Sequence, residues 1–307
     1  MDSVPRRFAL PDAVQALFAA RHPAWGLRLE HKATSRHAER FRFQFETFSE
    51  VSQELRTVEG EYFRARTATP AEPGPLVLDS PILAGAHDGY LADRIFSGWA
   101  TARGFSTLFL YQEEDVLAPA RDATELSRSL RESVISYRKA LDLILRERPE
   151  LDPERLASFG ISMGAIRNVV LAAVEPRLKA NVFCLVGGNL PRVLRQSRER
   201  LVRRYVARRE SEEGISQAGI AEEFEREFLG EPLRFAASIP PEQALLFLGS
   251  FDDKVPYDCG LELREAMGRP ELRIVPLGHY TGILYAPIAA RRGFAWMREV
   301  FARKTGA

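Results

Sequence analysis

The sequence predicts an α/β protein, a mostly parallel sheet with helices on both faces. Two observations predict it. After residue 75, short apolar runs alternate with stretches of helical periodicity. The apolar runs are also continuous, as strands buried on both faces require. A third observation bounds the size: 307 residues, 45% hydrophobic and 28% charged, suit one large domain of ordinary globular composition.

The elements follow in order. Residues 12–20 suit a short helix. Residues 40–48 set Phe41, Phe43 and Phe45 on alternate positions, the period of a half-buried strand, and 56–66 repeats the alternation. TPAEPGP (69–75) reads as a turn. PLVLDSPIL then opens the alternating region as a strand. A helix is expected over 88–103, stopped by Gly104, and a strand over 105–112. In 122–148, Leu126, Leu130, Ile135, Leu141 and Leu145 recur near the helical period, with Asp122 as N-cap. Strand 155–162, helix 165–174, strand 180–188, strands 244–250 and 272–278, and a closing helix at 288–304 complete the reading. The organisation is therefore an N-terminal extension with leading strands (1–74), a core (75–189 and 241–307), and a charged helical insertion, or cap (190–240).

Composition narrows the function. A formal net charge of +1 gives no global reason to expect nucleic acid or an anionic membrane as a partner. No apolar stretch is long enough to span a bilayer, and the first residues lack an uninterrupted signal-type apolar region. Cys184 lies in an apolar run and reads as a small buried hydrophobe. With Cys259 it makes no disulfide framework or metal site. The expected setting is cytoplasmic.

Gly160-Ile161-Ser162-Met163-Gly164 fits G-x-S-x-G. A random chain of this length matches that string roughly once in ten tries, so context matters more. An apolar strand runs into it and a helical pattern leaves it, the strand–turn–helix of a nucleophile elbow. The turn is sharp and strained, and side chains two positions either side of the serine would clash. The Met163 N–H can then face a developing oxyanion. The bland alternative is a Gly/Ser turn between strand and helix.

A serine hydroxyl needs a base, and the base an orienting carboxylate. Of the five histidines only His279 follows the elbow, in a loop after the strand LRIVPL. The carboxylate is expected after ALLFLGS, where Asp252 and Asp253 stand. Asp252 is preferred, with Asp253 as a solvated neighbour.

With GISMG, GSFDDKVP and LGHY in this order, residues 75–304 resemble the α/β-hydrolase superfamily, in particular its dienelactone-hydrolase-like and esterase branches. The resemblance does not explain residues 1–74. It departs at Ala165, where many relatives carry a further glycine. It implies a second oxyanion donor in the loop after the strand at 75–83. Relatives carry His-Gly there, and this chain reads Ser80-Pro81-Ile82-Leu83. By position the donor is the Leu83 N–H, with Ile82 as runner-up, since Pro81 has no N–H. His87 and Asp88 either line the pocket or form a surface turn and helix cap. Tyr111 and Tyr280 are pocket contacts or packing.

Between 192 and 209 the insertion carries eight arginines, followed by a run of glutamates. They read as solvated cap helices with mutual salt bridges, as a basic rim for acidic substrates, or as a homodimer contact. The expected function is a carboxylic ester hydrolase acting through an acyl-enzyme on Ser162, with a small-molecule ester as substrate and no metal or cofactor. An amidase, peptidase, thioesterase or acyltransferase would use the same triad. A binding module on an inactive scaffold would lack a triad member.

Overall fold

The computed structural model describes residues 10–83, 86, 88–112, 117 and 122–305. A short helix α1 (Asp12–Leu17) precedes three strands, β1 (Ala24–Thr34), β2 (Ala38–Phe48) and β3 (Leu55–Ala65). Then β4 (Gly74–Ser80), α2 (Leu91–Thr101), β5 (Ser106–Leu110), α3 (Ala123–Glu147), β6 (Leu151–Ile161), α4 (Met163–Val174) and β7 (Leu178–Cys184) alternate. Four helices follow: α5 (Leu190–Gln196), α6 (Arg200–Glu213), α7 (Gln217–Glu227) and α8 (Pro232–Ala236). The chain re-enters the sheet as β8 (Ala244–Gly249), α9 (Tyr257–Ala266), β9 (Glu271–Val275) and α10 (Ala286–Thr305).

Among the described residues the sheet has nine strands in the order β1-β2-β3-β5-β4-β6-β7-β8-β9. The pairs from β5 to β9 are parallel, while β1, β2 and β3 join antiparallel, with Phe63 opposite Thr107 at the junction. Successive residues of a strand point to opposite faces, and the core divides accordingly. Leu76, Leu78, Leu156, Phe183 and Leu246 pack with α3 and α4 on one face. Their neighbours Val77, Ala157, Val182 and Leu245 pack with Phe96 of α2 and Phe294 of α10 on the other. This is why the central strands read as unbroken apolar runs.

Local signals set the boundaries. Asp122 caps α3 by accepting from the Glu125 N–H at 2.8 Å. Gly104 takes φ +80° after α2. Two elements were not expected, β1 and α9. β6 starts at Leu151 instead of 155, and α4 at Met163 instead of 165. The insertion packs on the core through α8 against α4 and α7 against α3. No helix among the described residues is long and apolar enough to cross a membrane.

Candidate active site

The site lies where the central strands end. β6 runs into Ser162, whose backbone takes φ 54° and ψ −122°. Such a conformation is costly for a residue with a side chain. It is held by the Ser162 N–H donating to the Cys184 carbonyl at 2.9 Å, while α4 begins at the next residue. The glycines make the turn fit. A Cβ on Gly160 would stand 2.7 Å from the Ala165 amide nitrogen, and one on Gly164 would collide with the Ser80 carbonyl.

Two further loops bring carboxylate and imidazole to this turn. The loop after β8 is tied to the segment after β9 by Ser250 N–H to Val275 O at 2.9 Å and Phe251 N–H to Leu277 O at 3.2 Å. Asp252 Oδ1 accepts from the Lys254 and Val255 amides, each at 2.9 Å, which fixes the carboxylate plane. Its Oδ2 lies 2.7 Å from His279 Nδ1, and His279 Nε2 lies 2.9 Å from Ser162 Oγ. A carboxylate only accepts, so the proton belongs on Nδ1 and Nε2 faces the serine hydroxyl with a free lone pair. The Asp252 side chain is 2% exposed and that of His279 10%. Asp253 points away, 47% exposed beside Lys254.

Ser162, Asp252 and His279 are thus brought together from three loops. Met163 is the first residue of α4, so its N–H is one of those left free by helix geometry. Ile82, Leu83, Met163, Tyr111 and Tyr280 all line one cavity of about 1330 Å³ that contains Ser162 and His279. The Tyr111 hydroxyl is committed, donating to Glu61 Oε1 at 2.9 Å, and its ring stacks on Tyr90. Burial and the Glu61 charge push that phenol up to about 12. Tyr280 sits edge-on to His279 and donates to Glu199 Oε2 at 2.5 Å. Burial and Glu199 raise it likewise to about 12. His87 lies outside the described residues. Asp88 accepts from the Leu91 N–H at 3.3 Å, next to the start of α2.

The cavity wall includes Leu130 of α3 with Val193, Phe224 and Phe228 of the insertion, and Phe96 and Trp99 of α2 with Ala290 of α10. None of the eight arginines of 192–209 lines it. Arg209 instead bridges α6 to α7, bonding Glu213 at 2.7 Å and Glu223 at 3.0 Å. Arg192 bonds Glu262 of α9 at 2.6 Å.

Three polar residues at the site escaped sequence reasoning: Glu199, Gln112 and Arg167, all on the cavity wall. Arg167 had a signal, a charge inside the apolar helical run AIRNVVLAAV. It is 4% exposed, and among the described residues it has no carboxylate within ion-pair distance. Burial lowers its pKa from the ordinary arginine value.

A mostly parallel open sheet with a strained serine turn after β6, a buried aspartate after β8 and a histidine after β9 is the arrangement of the α/β-hydrolase fold. No protein-family model matches the sequence, and no curated protein matches it. Solved structures do. Acetyl xylan esterase 1 from Thermoanaerobacterium sp. JW/SL YS485 aligns with a TM-score of 0.61 at 15% identity, over 91% of each chain. A cold-adapted esterase from an Arctic intertidal metagenomic library aligns at 0.54 and 19%, over 88% of this chain and 98% of that one. The acylaminoacyl peptidase of Pyrococcus horikoshii gives 0.52 and 14%, over 90% of this chain and 49% of that one. The chain has the α/β-hydrolase fold, and its structural neighbours include esterases and a peptidase.

Proposed function

We propose that the protein is a serine hydrolase of carboxylic esters, with Ser162, His279 and Asp252 as nucleophile, base and orienting acid. The observation that carries this reading is the hydrogen-bonded relay Asp252–His279–Ser162, at 2.7 and 2.9 Å, on a strained turn inside an apolar cavity. Ser162 Oγ attacks the ester carbonyl as His279 Nε2 takes its proton. Asp252 holds the imidazole and stabilises the imidazolium. The Met163 and Leu83 amides face the oxyanion. His279 then protonates the departing alcohol, and water, deprotonated by His279, releases the acid.

The insertion helices α5, α6 and α7 serve as a cap over the cavity, contributing Val193, Val202 and Phe224 to its wall. A cavity of about 1330 Å³ favours a medium-length apolar acyl group over acetyl. Esterases among the structural neighbours support the ester; the peptidase neighbour keeps amides as the second substrate to try.

The test is hydrolysis of p-nitrophenyl esters from acetate to dodecanoate by wild type, Ser162→Ala and His279→Ala, with fluorophosphonate labelling in parallel. Turnover and labelling by wild type, both abolished in Ser162→Ala, are expected. A wild-type protein that neither turns over nor labels would sink the reading. Labelling without ester turnover would retain the triad and move the substrate class to amides or thioesters.

A further inference from the structure

We propose that Arg167 and Gln112 are positioning residues that set the loop carrying the second oxyanion donor. The inference rests on the hydrolase reading and on Leu83 as that donor.

The segment Ser80-Pro81-Ile82 leads from β4 to Leu83 and has no strand partner beyond Ser80. Each of its three residues is held by a side chain. Ser80 Oγ donates to Asn168 Oδ1 at 2.6 Å, and Asn168 Nδ2 donates to the Phe159 carbonyl at 2.8 Å. Arg167 Nη1 donates to the Pro81 carbonyl at 3.4 Å. Gln112 Nε2 donates to the Ile82 carbonyl at 2.6 Å, and its Oε1 accepts from Arg167 Nη2 at 3.2 Å. The Gln112 backbone is fixed in turn: its N–H donates to the Tyr90 hydroxyl at 2.8 Å, and that hydroxyl donates to its carbonyl at 3.2 Å. One guanidinium therefore spans the loop and the glutamine that grips the next residue.

Arginine suits this task because its donors lie in a rigid planar fork. The arrangement is costly. The Arg167 guanidinium is buried, its Nε has no hydrogen-bond partner, and no carboxylate pairs with it among the described residues. Burying a guanidinium costs stability, which the hydrogen bonds to Pro81 and Gln112 offset in part. Arg167 lies on the helix that starts at the serine turn, so both oxyanion donors are referenced to α4. Met163 is its first residue, and Leu83 follows the loop clamped to its second turn. A displacement of about 1 Å in such a donor costs on the order of 100-fold in rate, so clamping it has a function.

The experiment compares wild type with Arg167→Met, Arg167→Lys, Gln112→Leu and the double variant Arg167→Met/Gln112→Leu. Hydrolysis of p-nitrophenyl butyrate is divided by the sites titrated with a fluorophosphonate, and inhibition by a trifluoromethyl ketone, which forms an oxyanion on the serine, is measured alongside. Each single variant is expected to lose on the order of 10- to 100-fold in kcat with KM changed less than about threefold. Ketone inhibition should weaken by a like factor. The double variant should be no worse than the poorer single one, because the two act as a unit. Lysine should recover little, since a single nitrogen on a shorter stem replaces the two Nη atoms that reach the Pro81 carbonyl and the Gln112 amide separately. The clamp is overturned by wild-type kcat per titrated site in Arg167→Met, by full recovery with lysine, or by a loss confined to KM. A wild type that neither hydrolyses nor labels overturns the hydrolase reading, and the clamp with it.

Discussion

Asp252 and Asp253 are adjacent carboxylates with opposite surroundings, and chain order alone could not separate them. Asp252 is 8% exposed and receives two backbone amides besides the imidazole, while Asp253 stands in solvent. Asp252→Asn should lower kcat by about 10⁴-fold, because the amide favours the wrong imidazole tautomer. Asp253→Asn should stay within about threefold of wild type. Equal losses in a steady-state comparison would remove the orienting role from Asp252. A second prediction concerns Asp93, buried on α2 near Asp79 at the end of β4. Burial pushes Asp93 up to about 7, with the Asp88 charge adding to it, and burial and Asp93 hold Asp79 well above the carboxylate range. A carboxyl whose folded pKa is raised binds more protons folded than unfolded, so its contribution is full below about pH 4 and lost as pH rises to about 7. Asp93→Asn should therefore flatten the fall in stability across that window, read by urea unfolding at several pH values; an unchanged slope would refute it. Ser162, Asp252 and His279, which hydrogen-bond in series, could be proposed together from sequence because a triad's residue types and order are dictated by chemistry. Arg167, Gln112 and Glu199 could not, because their contacts lie far away in sequence: 55 and 86 residues for Arg167, 30 and 55 for Gln112, and 81 for Glu199.

Strand, turn and helix form one mechanical unit at the elbow. The packing of α4 against the end of β4 is so close that Gly164 has no room for a methyl group. Gly164→Ala should push the α4 N-terminus away from the Ser80 carbonyl and separate the two proposed oxyanion donors, Met163 and Leu83. A loss of about 100-fold in kcat is expected, with a stability cost of about 1–3 kcal/mol from overpacking. Paired kinetics and urea melts would check it, and near-normal kcat would mean that the loop tolerates the shift. The central strands and α3 were legible because burial on both faces, or on one helical stripe, leaves a clear apolar pattern. β1 was not. It is an edge strand, mostly exposed, with register shifts between Trp25 and Arg28 and between His31 and Ala33, so no alternation survives. α9 buries only Cys259, Gly260 and Leu263, too few for a readable period.

At the scale of the molecule, the N-terminal extension belongs to the same sheet as the core. Its three strands widen the sheet, and Val51 and Ser52 of the β2–β3 turn, with Thr57 of β3, wall the cavity. The sequence showed two of these strands but not their reason, because the anchor is a buried polar contact with α3. Lys139 of α3, its side chain 2% exposed, donates to Thr47 Oγ1 at 2.8 Å, to the Phe48 carbonyl at 2.9 Å and to Glu50 Oε2 at 2.6 Å. Glu50 Oε1 accepts the Arg21 and His22 amides at 2.8 and 2.9 Å, so the α1–β1 connection, the end of β2 and α3 converge on one ion pair. Removing one partner of a buried pair leaves the other desolvated, at a cost of about 3–5 kcal/mol. Lys139→Met should lose that amount in urea unfolding. Lys139→Met with Glu50→Gln should lose less, because no charge is then stranded. Fluorophosphonate labelling of the folded fraction should be unchanged in both, since the pair anchors the wall and does not touch the serine. A loss below about 1 kcal/mol in the single variant would mean that the extension is held by its strand pairing alone.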